Sequence, residues 1–128
     1  MEQIILSLQF IINLIGVLIG GWDGLIYTLI LFIVIEVLTD VLIRINIHNL
    51  SLKVLIHQFI KIILIFFLVA MGCSLDAYIL HNQELLRTAI ILFYLSNEGL
   101  SILRNFETLG IPIPQKLKNI LDNLKDEE

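Results

Sequence analysis

The sequence predicts an all-α membrane protein with four transmembrane helices, three if the first segment fails to cross, followed by a short C-terminal amphipathic helix. Three observations carry this expectation. The 128 residues are 58% apolar and only 16% charged, against about 45–50% and 25% in soluble domains, and mean hydropathy is +0.94. The apolar residues lie in long runs separated by short charged punctuation, and a chain this small has too little interior to hide them from water. Continuous runs select helices, because in lipid each backbone N–H and C=O must find its partner within the segment. Barrel strands would instead alternate over short segments.

The first run covers about residues 4–20, broken by Ser7, Gln9 and Asn13. It has the length of a signal sequence, but Glu2 stands where such a sequence carries Lys or Arg, and no small-x-small cleavage site follows. It is expected to stay as a membrane segment. "GGWDG", residues 20–24, reads as a tight glycine turn, with Trp22 suited to interfacial depth. The second run, residues 25–45, is "LIYTLILFIVIEVLTDVLIRI". After the polar connector "NIHNLSLK", in which Ser51 is placed to cap the next helix, the third run covers about residues 54–78. "DAYILHNQE" then leads into the fourth, residues 85–105. Each is compatible with the span of about 20 residues, range about 17–25, that a bilayer requires. Residues 1–110 are therefore expected to form the membrane region and residues 111–128 a cytoplasmic Pro-x-Pro turn and tail. In that tail Leu117, Ile120, Leu121 and Leu124 follow the i, i+3, i+4, i+7 pattern of an amphipathic helix, with Pro114 placed to start it.

Charge sidedness gives the orientation. With four spans, both termini share a side with the connector at residues 46–53. That side holds Arg44, Lys53, Lys61, Arg104, Lys116, Lys118 and Lys125, seven of the eight Lys and Arg residues. The other side carries Asp23, Asp76, Glu84 and a lone Arg87. The positive-inside rule then puts both termini in the cytoplasm of a bacterial cell membrane.

Polar residues inside the spans are the candidate site, since charge at membrane depth is costly and is kept for pairing, for the bundle interior or for water. Glu36, Thr39 and Asp40 fall at i, i+3 and i+4, on one face of the second helix. Arg44 follows Asp40 by four, so a salt bridge is available there, although both residues also suit snorkelling to the interface. In the fourth run Tyr94, Glu98, Ser101 and Asn105 recur at i, i+4, i+7 and i+11, with Asn97, Ser101, Arg104 and Thr108 in a neighbouring stripe. Together they read as one wide polar face that needs other helices, other subunits or water against it. Lys53, His57 and Lys61, at i, i+4 and i+8, read as a basic stripe touching anionic headgroups, with His57 and Lys61 alternatively reaching the acids of the second span.

Other classes of function find no support. No basic stripe with interleaved aromatics suggests nucleic acid. The single Cys73 forms no intramolecular disulfide and reads as a small packing residue, and no cluster has metal-ligand spacing. No cofactor-binding or catalytic motif appears, so no enzymatic activity is expected.

The stretch "YLSNEGLSILRNFETLGIPIPQKLKNIL" resembles the C-terminal signature of the toxin secretion/phage lysis holins, small membrane proteins of phages and clostridia. Asn97, Glu98, Gly99, Ser101, Asn105, Gly110, Pro112 and Pro114 match it. More weakly, "GGWDG" resembles the family's glycine–aspartate turn. "IEVLTDVL" resembles its Asp-aromatic-x-Thr-Gly element, with Thr39 kept and Glu36, Val37 and Asp40 replacing the other three. The resemblance implies a holin that homo-oligomerises in the bilayer and opens a lesion through which an endolysin or a toxin leaves. Its interface or pore-side residues would be Glu36, Thr39, Asp40, Tyr94, Asn97, Glu98, Ser101 and Asn105, and Gly110, Pro112 and Pro114 would end the last span. An antiholin is a possible partner. Two alternatives stand beside it: a small multidrug-type proton-coupled antiporter, with Glu36 as its proton site, and an antiholin or membrane-anchored interaction protein.

Overall fold

The computed structural model describes residues 1–81 and 83–124. Lys125 and the acidic "DEE" end, together with Asn82 of the third connector, lie outside the described residues. The helices are α1 (Glu2–Leu18), α2 (Gly24–Asn46), α3 (Leu52–Ser74), α4 (Leu85–Thr108) and α5 (Gln115–Leu124). The end of α3 continues through Leu75–Leu80 with wider, π-helical hydrogen bonding. Four helical segments, residues 2–19, 24–46, 52–80 and 85–108, are long and apolar enough to cross a membrane. The chain is all-α, with four such helices and a short C-terminal fifth.

Local chemistry sets the boundaries. Ser51 caps α3, its hydroxyl accepting from the Val54 N–H at 3.3 Å, and Asp23 caps α2 by accepting from the Ile26 N–H at 3.1 Å. α1 and α4 end alike. At α4 the Ile111 N–H reaches back to the Phe106 carbonyl at 2.9 Å and the Gly110 N–H to that of Glu107 at 3.0 Å, with Gly110 at φ 86°. At α1 the Gly21 N–H bonds to the Gly16 carbonyl at 2.6 Å, with Gly20 at φ 87°. Both are Schellman endings, whose left-handed residue is most easily glycine. Pro112 and Pro114 follow Gly110 and prevent α4 from continuing.

The core is built on helical spacing. Ile26, Leu29 and Ile33 of α2, Ile65 and Val69 of α3, and Ile91 and Leu95 of α4 form one buried cluster with Ile19. α4 lies at its centre, packed against α2, α3 and α5. α1 stands apart. Gly16 is its buried residue, and the Trp22 indole packs on Gly16 while donating to the Ile12 carbonyl at 3.1 Å. An apolar cleft of about 400 Å³, lined by Ile15, Ile19, Ile62 and Phe66 among others, opens between α1 and α3.

Candidate functional site

The polar residues of the spans gather at two levels. The first is the half of the bundle nearer the α2–α3 loop. On α2, Glu36 and Thr39 face the bundle, and on α4, Glu98 and Asn105 face them. Thr39 is buried; its hydroxyl donates to the Ile35 carbonyl at 2.9 Å and accepts from the Asn105 amide at 2.8 Å. This bond ties α2 to α4 across the bundle. About two turns away along α4, Glu98 is 1% exposed. Lys61 of α3 brings its ammonium to 3.0 Å from Glu98 Oε1 and 3.9 Å from Glu36 Oε2. Among the described residues neither Glu98 oxygen makes a hydrogen bond. Two carboxylates from two helices thus converge on one ammonium from a third.

Asp40 lies one turn further along α2. Its Oδ2 accepts from Arg44 Nε at 2.9 Å and from the Gln58 amide of α3, so the local pair legible in the sequence forms and is joined by a second helix. Glu36, Asp40, Arg44, Lys53, His57 and Lys61 line an open groove of about 620 Å³ between α2 and α3. Of the basic stripe on α3, Lys61 therefore turns toward the acids, the alternative reading of that residue, while Lys53 and His57 line the groove.

The expected single polar face of α4 divides. Glu98 is buried and Asn105 half-buried against α2 and α3, whereas Asn97, Arg104 and Thr108 are exposed on the other side. Ser101 lies between, half-buried, and accepts from Arg104 at 3.0 Å. Tyr94 packs edge-to-face on Phe93 at 5.1 Å and borders a small cavity with His57 and Lys61. The physical reason is geometric: over the fifteen residues from Tyr94 to Thr108 the helix sweeps polar groups across more than 100° of surface, and α2 and α3 cover only part of that arc.

The second level was not foreseen. At the α1–α2 turn, Arg87 of α4 is fully buried. Its guanidinium grips Asp23 through both oxygens, Nη1 to Oδ2 at 2.9 Å and Nη2 to Oδ1 at 3.1 Å. It also donates to the carbonyls of Gly21 at 3.2 Å and Ile19 at 2.5 Å. Asp76 accepts from the backbone N–H groups of Leu86 at 3.0 Å and Arg87 at 2.8 Å, which makes it the cap of α4 supplied from the preceding helix. The Arg87 guanidinium holds the Asp23 carboxyl below the usual carboxylate range by hydrogen bonding and charge, against a smaller opposing effect of burial. The sequence did contain a pointer: Arg87 is the lone base on a side with three acids.

With this geometry in place, comparison with known proteins decides the family. The model of the bacteriophage holin family matches residues 13–126. The chain belongs to the bacteriophage holin family. That agrees with the resemblance carried by residues 94–121, and it is not an enzyme family. Among curated relatives, the chain is 34% identical over 132 residues to an uncharacterized 14.9 kDa protein from the nagH 3′ region of Clostridium perfringens, covering all of both chains. It is 38% identical over 106 residues to an uncharacterized protein of Listeria monocytogenes, covering 83% of this chain and 75% of the relative. An uncharacterized Bacillus subtilis protein, YtkC, is 30% identical over 111 residues, covering 87% of this chain and 82% of the relative. No solved structure matches.

Proposed function

We propose that this holin self-assembles in the bacterial cytoplasmic membrane, with its C-terminus in the cytoplasm, and opens a lesion that releases an endolysin or a toxin. The observation that carries this reading is Glu98, a carboxylate buried at mid-helix with one ion partner and no hydrogen bond among the described residues. A desolvated carboxylate that lacks hydrogen bonds is a large free-energy liability. Small packed units keep it covered by Lys61, and an assembly in which α2 and α4 turn toward water relieves it. Glu36, Thr39, Asp40 and Asn105 would rearrange with Glu98. Tyr94, Asn97 and Ser101 supply contacts between copies. Lys53 and His57, at the groove mouth, would meet anionic headgroups.

The orientation rests on charge. Arg44, Lys53, Lys61, Arg104, Lys116 and Lys118 lie toward one end of the bundle and Asp23, Asp76 and Glu84 at the other, which favours the first end as cytoplasmic. The antiporter alternative is weakened because Lys61 already faces Glu36, its required proton site.

Glu98→Leu tests the proposal. The variant is expected to insert in the membrane normally but to permit no entry of an impermeant dye on induced expression. Lysis at the parental rate would overturn the assignment of Glu98. Failure of the parental chain, expressed alone, to depolarise the membrane would favour the antiholin reading.

A further inference from the structure

α1 is held to its own bundle along one side. It packs on α3, where its Ile15 and Leu18 line the apolar cleft with Ile62 and Phe66, and the Trp22 indole covers Gly16. Elsewhere its side chains are exposed, among them the two carboxamides Gln9 and Asn13. At about 100° per residue Gln9 lies about 180° around the helix from Leu18, and Asn13 about 160° from Ile15. Both amides therefore face away from the bundle, and among the described residues neither makes a hydrogen bond. Residues 2–19 are long and apolar enough to cross a membrane. Their 18 residues rise about 27 Å, close to the hydrocarbon thickness of about 30 Å. Gln9 and Asn13 fall within about 4 Å of the middle of that span at 1.5 Å per residue. No water reaches an amide there, and an unsatisfied one in hydrocarbon is strongly disfavoured.

The two amides belong to a seam. Glu2, Leu6, Gln9, Asn13 and Gly16 follow one another by alternate steps of four and three, the a/d spacing by which one helix packs along another. Glu2 begins the seam at the end of the span and Trp22 closes it at Gly16, which leaves Leu6, Gln9 and Asn13 for a partner. A second copy of the chain satisfies what they need. Copies inserted alike lie parallel, and a two-fold axis along the membrane normal sets each seam residue against its own equivalent. A carboxamide carries two donors and an acceptor, so a Gln or an Asn is complementary to its own kind. A charged partner would instead have to bring its charge to the middle of the bilayer. An Asn on such a seam also fixes the register of the two helices.

We propose that α1 pairs two copies of this chain in parallel through Leu6, Gln9 and Asn13 before any lesion opens. The pairing takes its membrane placement from the reading above but does not depend on the lesion. It gives each copy a second surface, separate from the α4 contacts, by which pairs link into larger assemblies. Positions 6 and 8 make the test: both leucines are exposed, at 64% and 53%, and they lie about 160° apart around α1. Full-length Leu6→Cys and Leu8→Cys, each with Cys73→Ser, are oxidised with copper–phenanthroline in membranes isolated before dye entry begins. A disulfide-linked dimer is expected from Leu6→Cys and little from Leu8→Cys. Adding Gln9→Leu and Asn13→Leu to Leu6→Cys is expected to weaken pairing about tenfold, the effect of two amide pairs between helices in a membrane. Equal linkage at positions 6 and 8 would mean random collision and overturn the proposal, as would linkage at position 6 undiminished by loss of both amides. Linkage at position 6 to a protein of another mass would give the seam to a different partner and overturn it too. Pairing through α1 without dye entry would support this proposal and overturn the lesion reading, and dye entry without pairing would do the reverse.

Discussion

Arg87 and Glu98 are buried on the same helix, at 0% and 1% exposure, and they are treated in opposite ways. The Arg87 guanidinium donates four hydrogen bonds, two to a carboxylate and two to carbonyls. Glu98 has one ion partner and no hydrogen bond among the described residues. The buried charge at the turn end is thus satisfied and Glu98 at the loop end is not. A charge whose partners are all in place holds its helices in one arrangement, whereas an incompletely satisfied one leaves room for another. The pinned end fits an anchor for α1, α2 and α4, and the underbonded end fits the part that moves.

The largest expected effect breaks the pinned end. Arg87→Ala leaves two turn carbonyls without their donor and Asp23, 43% exposed, with only the Ile26 N–H, and each buried acceptor left unsatisfied costs about 1–3 kcal/mol. Thermal unfolding of the detergent-solubilised protein would show it. Arg87→Lys is expected to recover little, because one ammonium cannot reproduce the bidentate grip. Sensitivity to pH follows from Asp23, whose carboxyl is held low. Its contribution is present above the unfolded pKa of about 3.9 and is lost as pH falls through the lower folded value. Stability should therefore stay flat through mildly acidic pH and fall in stronger acid, and Asp23→Asn should flatten that acid limb.

The next effect sharpens the other end. Lys61→Met strips the ammonium from Glu36 and Glu98, so the packed state loses more than any water-exposed state does. Dye entry is expected to begin earlier after induction, the reverse of Glu98→Leu. A delayed onset would mean that Lys61 serves the open assembly instead. Gly20→Ala returns to the pinned end and tests the α1–α2 turn: the position has φ 87°, and an added Cβ would stand 2.5 Å from Arg87 Nε. Left-handed backbone costs about 1–3 kcal/mol for a residue other than glycine, so a loss of that order is expected in the same unfolding measurement.

What the sequence made legible is what one helix can show by itself. The apolar runs, the Ser51 cap, the Asp40–Arg44 spacing and the Gly110–Pro114 ending all depend on residues within a few positions of each other. What escaped depends on how helices meet. Arg87 reaches Asp23 across 64 residues, and no period within either segment announces that. The division of the α4 polar residues into buried and exposed sets is fixed by where α2 and α3 lie. The return of α5 is fixed by a notch at Gly99 whose depth appears only once Phe32 and Leu121 flank it. Lys61 suited headgroups better than the acids until Glu36 and Glu98 were placed around it.

The smallest effect probes the shorter of the two hydrogen bonds that Asn105 makes to α2, to the Thr39 hydroxyl rather than to the Glu36 carbonyl at 3.5 Å. Asn105 donates to Thr39 at 2.8 Å, and side-chain bonds between helices in membranes average about 0.6 kcal/mol, with a maximum near 1.7. A double-mutant cycle with Thr39→Val and Asn105→Leu separates that coupling from the volume changes each substitution brings. A coupling of about 0.6 kcal/mol, with single losses below those of Gly20→Ala, is expected. Thr39 also donates to the Ile35 carbonyl, so Thr39→Val removes a bond internal to α2 that cancels in the cycle. A coupling as large as the loss from Arg87→Ala would make the loop end as firmly pinned as the turn end, and the contrast between Arg87 and Glu98 would then reflect two residues rather than two regions.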